Sequence, residues 1–295
     1  MSSFAVIVSV GAYGAALFAL AWWADQSRGA PSGQMASGQT TKGRAPAGSA
    51  ALFGLSIAVY CTSWTYYGAV GTAQTAGLDY LPIYLGPFLV FTIGRPFLRR
   101  LVARGKSIHS TSIADFLSAH YGKSRTLAAL VTIIAIVGAL PYIALQLKSV
   151  AATYEFLTTG EAVERVGLSS VGPVAVILAL FAVMFGTRHV DITRHNRGMI
   201  AAVAFDSVIK LLGLLGVGLF AWFLVRANPA TPIPAPLSLG AVQWDRFAIL
   251  TLLSMGAIIC LPRQFHVTVV ECEDHRAIDR AAQVFLVYLV LISAV

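Results

Sequence analysis

VYCTSWTYYG, residues 59–68, interrupts an otherwise apolar run from Ala50 to Val70. Cys61, Thr62 and Ser63 stand in a row, flanked by Tyr60 and Trp64. A helix completes a turn in about 3.6 residues, so three adjacent side chains cannot share one face. Polar atoms in hydrocarbon are costly unless satisfied, and they turn toward a bundle interior or a cavity. Two readings follow. Either Thr62 and Ser63 bond back to carbonyls of an intact helix or join two helices, or the helix breaks here. A break frees backbone groups for a cation or polar solute, as discontinuous helices do in secondary transporters.

A second stretch has the same character. FAILTLLSMGAIICLPRQFH, residues 247–266, carries SMG near its middle and Pro262 toward its end. Gly256 adds flexibility and Pro262 removes a donor, so an interruption is expected here too. The two stretches lie five core helices apart, as an inverted repeat would place them. Paired interruptions at corresponding positions point to a transporter site.

Composition agrees with a membrane protein. The chain of 295 residues is 57% hydrophobic and 12% charged, and its mean hydropathy is +0.75. Soluble domains carry about 25% charge. Seven apolar stretches have transmembrane length: Phe4–Ala24, Ala50–Val70, Asp79–Phe97, Thr126–Ala152, Ser170–Gly186, Gly198–Val225 and Phe247–Val267. The first has no basic flank and exceeds a signal-peptide core, which predicts a retained helix. After Arg280, AAQVFLVYLVLISAV reaches Val295 in fifteen residues. That is about 22 Å of helix against a hydrocarbon core of roughly 30 Å, so an eighth helix cut in mid-membrane is expected. The fold class is therefore read as an all-α polytopic membrane protein, truncated, with seven full helices and part of an eighth.

The net charge of +8 is explained by topology rather than nucleic-acid binding. Most of the 21 Lys and Arg residues fall in loops one, three, five and seven. Basic loops stay cytoplasmic, which puts the N-terminus outside. Cys61, Cys260 and Cys272 form no CxxC pair, and the six histidines lack ligand-spaced partners, so neither a disulfide frame nor a metal site is expected. The division expected is an extra helix at 1–24, a flexible Gly/Ser/Pro-rich cytoplasmic linker at 25–48, a first five-helix repeat at 49–226 and the start of a second repeat at 227–295. In loop three, HSTSIADFLSAHYG is read as a short amphipathic helix at the cytoplasmic surface, with Ile113, Phe116 and Leu117 on one face, or as a solvated connector.

Charged and polar positions within the spans are few. Gln146 lies in ALPYIALQLKSV, and Asp206 and Lys210 lie one turn apart in AFDSVIKLL. Their i, i+4 spacing puts them on one face, where pairing is expected. A coupling or gating pair and a structural ion pair both fit. Candidate solute-binding residues in these stretches are Thr62, Ser63, Trp64, Gln146, Ser254 and Gly256.

Several stretches resemble the sodium/solute symporter family: SWTYYGAVGTAQTAGL (63–78), IADFLSAHYGKSRTL (113–127), AAVAFDSV (201–208) and SMGAIICLPRQFH (254–266). The resemblance implies the leucine-transporter-like inverted-repeat fold, preceded by an extra helix. More closely, YCTSWTYYGAVGTA and FGTRHVDITRHNRGMIAAVAFDSVIKLL are similar to the symporter-like membrane domain of bacterial sensor histidine kinases, the CbrA-like group. That likeness implies a symporter-like sensory and transport domain of a two-component system, multi-pass in the bacterial inner membrane. It implies binding, and possible uptake, of a small amino acid or related nutrient. The segment is not itself catalytic. ATP-dependent histidine phosphotransfer, and a cognate response regulator as partner, belong to a kinase region outside it. The alternative is a stand-alone cation-coupled symporter without kinase activity.

Carried across residue by residue, the family's cation site implies backbone carbonyls of Ala58 and Cys61, with Na+ or H+ as coupling ion. The acidic residue of the proline-permease pattern falls at Tyr60, so one element of sodium dependence is missing, which leaves open proton coupling or a receptor without tight coupling. The aromatic of the third core helix corresponds to Tyr142, and the resemblance thereby adds Tyr142 to the candidate solute-binding residues. Substrate-contacting aromatics become Ala257 and Leu261, and a proline becomes Phe265.

Overall fold

The computed structural model describes residues 2–26, 47–160, 167, 171–176, 179, 197–227, 242–272 and 277–295. These are mostly helical, with no strand among the described residues. In chain order they form α1 (Ser3–Gln26), α2 (Ala47–Ile57), α3 (Ser63–Tyr66), α4 (Gly68–Ala76), α5 (Pro82–Thr92) and α6 (Arg95–Ser107). There follow α7 (Ile113–His120), α8 (Arg125–Thr159), α9 (Arg197–Ala227), α10 (Trp244–Cys260), α11 (Pro262–Phe265) and α12 (Ala277–Ser293). Three helices are long and apolar enough to cross a membrane: Ser3–Ala24, Arg125–Thr159 and Gly198–Ala227. A fourth is added if α10 and the helix after it, bent by 55°, form one span. The stretch expected at Ser170–Gly186 lies mostly outside the described residues, as does the linker.

Helix α8 is longer than the expected Thr126–Ala152. Its 35 residues measure about 52 Å at 1.5 Å each. Ser124 caps its start by accepting from the Leu127 N–H at 3.3 Å. Gly160 ends it in the left-handed conformation, φ 80°, which glycine adopts without a Cβ clash. The stretch Asp79–Phe97 is correspondingly shorter than expected: α5 has 11 residues, and the chain turns at Ile93–Gly94 into the basic α6.

The core lies where α2, α5, α10 and α12 pack together. Ile278, Ala281, Ala282 and Phe285 of α12 are fully buried, and Phe285 meets Phe91 of α5 edge to face at 4.9 Å. Helix α2 comes so near α12 that a Cβ on Gly54 would stand 2.7 Å from the Ala281 carbonyl oxygen. Within α5, Pro87 has no N–H to give the Ile83 carbonyl four residues back. The Tyr60 hydroxyl donates to that carbonyl instead, at 2.9 Å, and so joins the first broken segment to α5.

The loop-three helix forms as α7. Ser112 caps its start by accepting from the Asp115 N–H at 3.1 Å, and the Asp115 carboxylate accepts from the Thr111 N–H at 3.0 Å. Ile113 and Phe116 pack against the protein core, with Phe116 5.6 Å from the Phe265 ring. Arg99 of α6 pairs with Asp279 of α12, its Nε donating to Oδ1 at 2.9 Å. That hydrogen bond holds the guanidinium above its ordinary pKa.

Candidate functional site

The helix that begins with α2 stops where the three polar residues stand. A single 3-10 turn, Ala58–Tyr60, follows α2. Cys61 (φ −79°, ψ 115°) and Thr62 (φ −124°, ψ −166°) are then extended, and the helix resumes at Ser63. The restarted helix leaves N–H groups without intrahelical partners, and Thr62 makes no side-chain capping bond. Gln146 of α8 fills that role. Its Oε1 accepts from Ser63 Oγ at 2.7 Å and from the Ser63 N–H at 3.4 Å, and its Nε2 faces Thr62 Oγ1 at 3.5 Å.

The second interruption falls at Leu261, not at the SMG triplet. Leu261 is extended, φ −62° and ψ 129°, between α10 and α11. The ring of Pro262 disfavours a helical conformation for the residue before it. A glycine within a helix costs only about 0.5–1 kcal/mol, so α10 runs through Gly256 without a break. After α11 the chain makes a π-helical turn, His266–Val270.

Both breaks open on one cavity of about 530 Å³. Thr62 and Trp64 line it from the first break, Tyr142 from α8, Ser254 and Ala257 from α10, and Leu261 from the second break. Gly68 makes room for the indole, since a Cβ there would lie 2.3 Å from the Trp64 ring. Ser254 is fixed by donating to the Pro82 carbonyl at 2.6 Å. Ser63 and Gln146 stand behind the wall as the hydrogen-bonded pair that holds the break. Gly256 is on the exposed face of α10 and does not line the cavity. Ala257 and Leu261 do line it, whereas Phe265 is buried against Phe116.

Ala58 and Cys61 are each 1% exposed. The Ala58 carbonyl accepts the Cys61 N–H at 2.9 Å. Asp206 and Lys210 form the expected ion pair at 2.5 Å, away from the cavity lining. Tyr13 of α1 donates to the other Asp206 oxygen at 2.7 Å, so the extra N-terminal helix is tied to α9 through this carboxylate.

The cavity also holds residues that the sequence did not single out as site residues. Asp79, Arg246 and Arg263 line it, with Tyr60 and Tyr84. Asp79 Oδ2 lies 4.0 Å from Arg246, while its Oδ1 is buried without a hydrogen bond among the described residues. The Arg263 guanidinium stacks over the Tyr142 ring, 4.5 Å from its centre. One signal was available for Arg263: an arginine one residue past a proline break in an apolar run is a functional position by default. Comparison with known proteins found no family model, no curated protein and no solved structure that matches this chain.

Proposed function

We propose that the chain is a solute-binding membrane domain of the symporter-like kind, with the leucine-transporter-like repeat as its architecture. The observation that supports it is the opening of two helix breaks, 200 residues apart in sequence, on one cavity lined by hydroxyls, aromatics and charge. Broken helices in a bilayer are tolerated only where the freed backbone is buried in protein or lines a cavity. The solute class is a small amino acid or related nutrient, and Na+ or H+ is the coupling ion if uptake occurs. On the charge distribution, the N-terminus lies outside a bacterial inner membrane.

The likeness of residues 60–73 and 185–212 to symporter-like sensory domains supports a further step. Solute binding biases one state of the domain, and a sensor histidine kinase carries that bias to a response regulator. The test uses the protein as its host encodes it, in inverted membrane vesicles with labelled ATP. Phosphohistidine formation that changes with an added amino acid is the expected result. Ion-driven uptake with no phosphorylation would replace the sensor by a stand-alone symporter.

A further inference from the structure

Charge in the cavity is only partly neutralised by the packing around it. Arg263 is half-buried, and no carboxylate pairs with it among the described residues. Its contact in the cavity is the Tyr142 ring. The Tyr142 hydroxyl is itself buried without a hydrogen-bond partner among the described residues. An unpaired charge within a membrane bundle is expensive and marks a solute path by default. A guanidinium presents two parallel donors that match a carboxylate, and stacking on an aromatic face fixes the plane of that fork. Asp79 lines the same space with one unbonded oxygen, which opposes a solute carrying a second negative charge.

From this we infer that Arg263 is the carboxylate anchor of the cavity, with the Tyr142 hydroxyl as an additional donor, and that the solute is a small molecule bearing one carboxylate. The inference rests on the solute-binding reading above. It gives Arg263 a recognition role that its count among the basic loop residues does not. The Arg263 side chain reaches the cavity from a segment, Pro262–Val270, that the Leu261–Pro262 break bends by 55° from α10. An uninterrupted helix would carry position 263 on along the same axis.

The test measures the thermal midpoint of the native protein in nanodiscs against three probe sets. These are the common L-amino acids, the corresponding amino-acid amides, and a neutral set of sugars and polyols. At least one amino acid is expected to raise the midpoint while its amide does not. Arg263→Gln is expected to weaken that amino acid about tenfold or more, the scale of hydrogen bonds to a charged group, and Arg263→Lys by less. Should Arg263→Gln fail to fold, the comparison of acid with amide on the unsubstituted protein decides alone. Equal binding of acid and amide, or unchanged affinity in a folded Arg263→Gln, overturns the anchor and leaves the solute-binding reading standing. Binding by the neutral set alone does the same. No shift with any probe set overturns both.

Discussion

Gly86→Ala is expected to lower stability more than a methyl added at any other described glycine. A Cβ at Gly86 would lie 1.9 Å from Ser254 Oγ, 2.7 Å from the Met255 nitrogen and 2.8 Å from the Thr251 carbonyl oxygen. Two of those three atoms belong to the backbone of α10, so no rotamer change relieves the overlap. The helices must separate, which breaks the Ser254 bond to the Pro82 carbonyl and loosens one wall of the cavity. Overpacking of this kind costs about 1–3 kcal/mol, and the lost buried hydrogen bond adds about 1 kcal/mol. Gly138→Ala in α8 is the control, because nothing lies within 4 Å of the position its new methyl would take. There the change is neutral or stabilises by up to about 1 kcal/mol through helix propensity. Thermal midpoints of the purified variants read both effects. A Gly86→Ala midpoint equal to that of Gly138→Ala would show that α5 and α10 are not in contact.

Asp206→Asn is the second large effect expected. The amide keeps an acceptor for Tyr13 but removes the charge that neutralises Lys210. An unpaired lysine in the middle of a span costs about 2.5–3.5 kcal/mol on insertion scales. Lys210→Gln strands the carboxylate in the same way, while the double replacement removes both charges. The double variant is therefore expected to be more stable than either single variant, and midpoints of the three measure it. Additive losses would mean that the two charges are independently solvated. Tyr13 makes the effect visible at α1 as well, since its partner oxygen belongs to the same carboxylate.

Residue type and local spacing make some of this legible in advance. Three adjacent polar residues in an apolar run make a break at Cys61–Thr62 one of two readings, beside an intact helix whose hydroxyls bond back to its own carbonyls. The i, i+4 spacing of Asp206 and Lys210 points to their pairing. Gly256 and Pro262 together mark the second interruption, and of the two it is Pro262, acting on the backbone of Leu261, that decides its place. Arg263 disappears into a topology count, because a count by loops does not show which basic side chain turns inward. The tight contact of Gly86 with α10 is not legible at all. Its partner Ser254 bonds to Pro82 across 172 residues of sequence, and a close approach of that range leaves no local pattern. The role of Tyr60 lies hidden for the same reason, as it depends on a carbonyl that Pro87 frees in another helix.

The most direct measurement of the central claim is the rate at which a membrane-impermeant aqueous thiol reagent labels Thr62→Cys and Gly256→Cys. Both variants are made with Cys260 replaced by Ala, since that thiol is exposed, while Cys61 and Cys272 are buried. Thiolate forms only where water reaches, so the cavity-lining position is expected to label about tenfold faster than the outward-facing one. Faster labelling at Gly256→Cys, or no labelling at Thr62→Cys, would contradict a solute cavity between the two helix breaks.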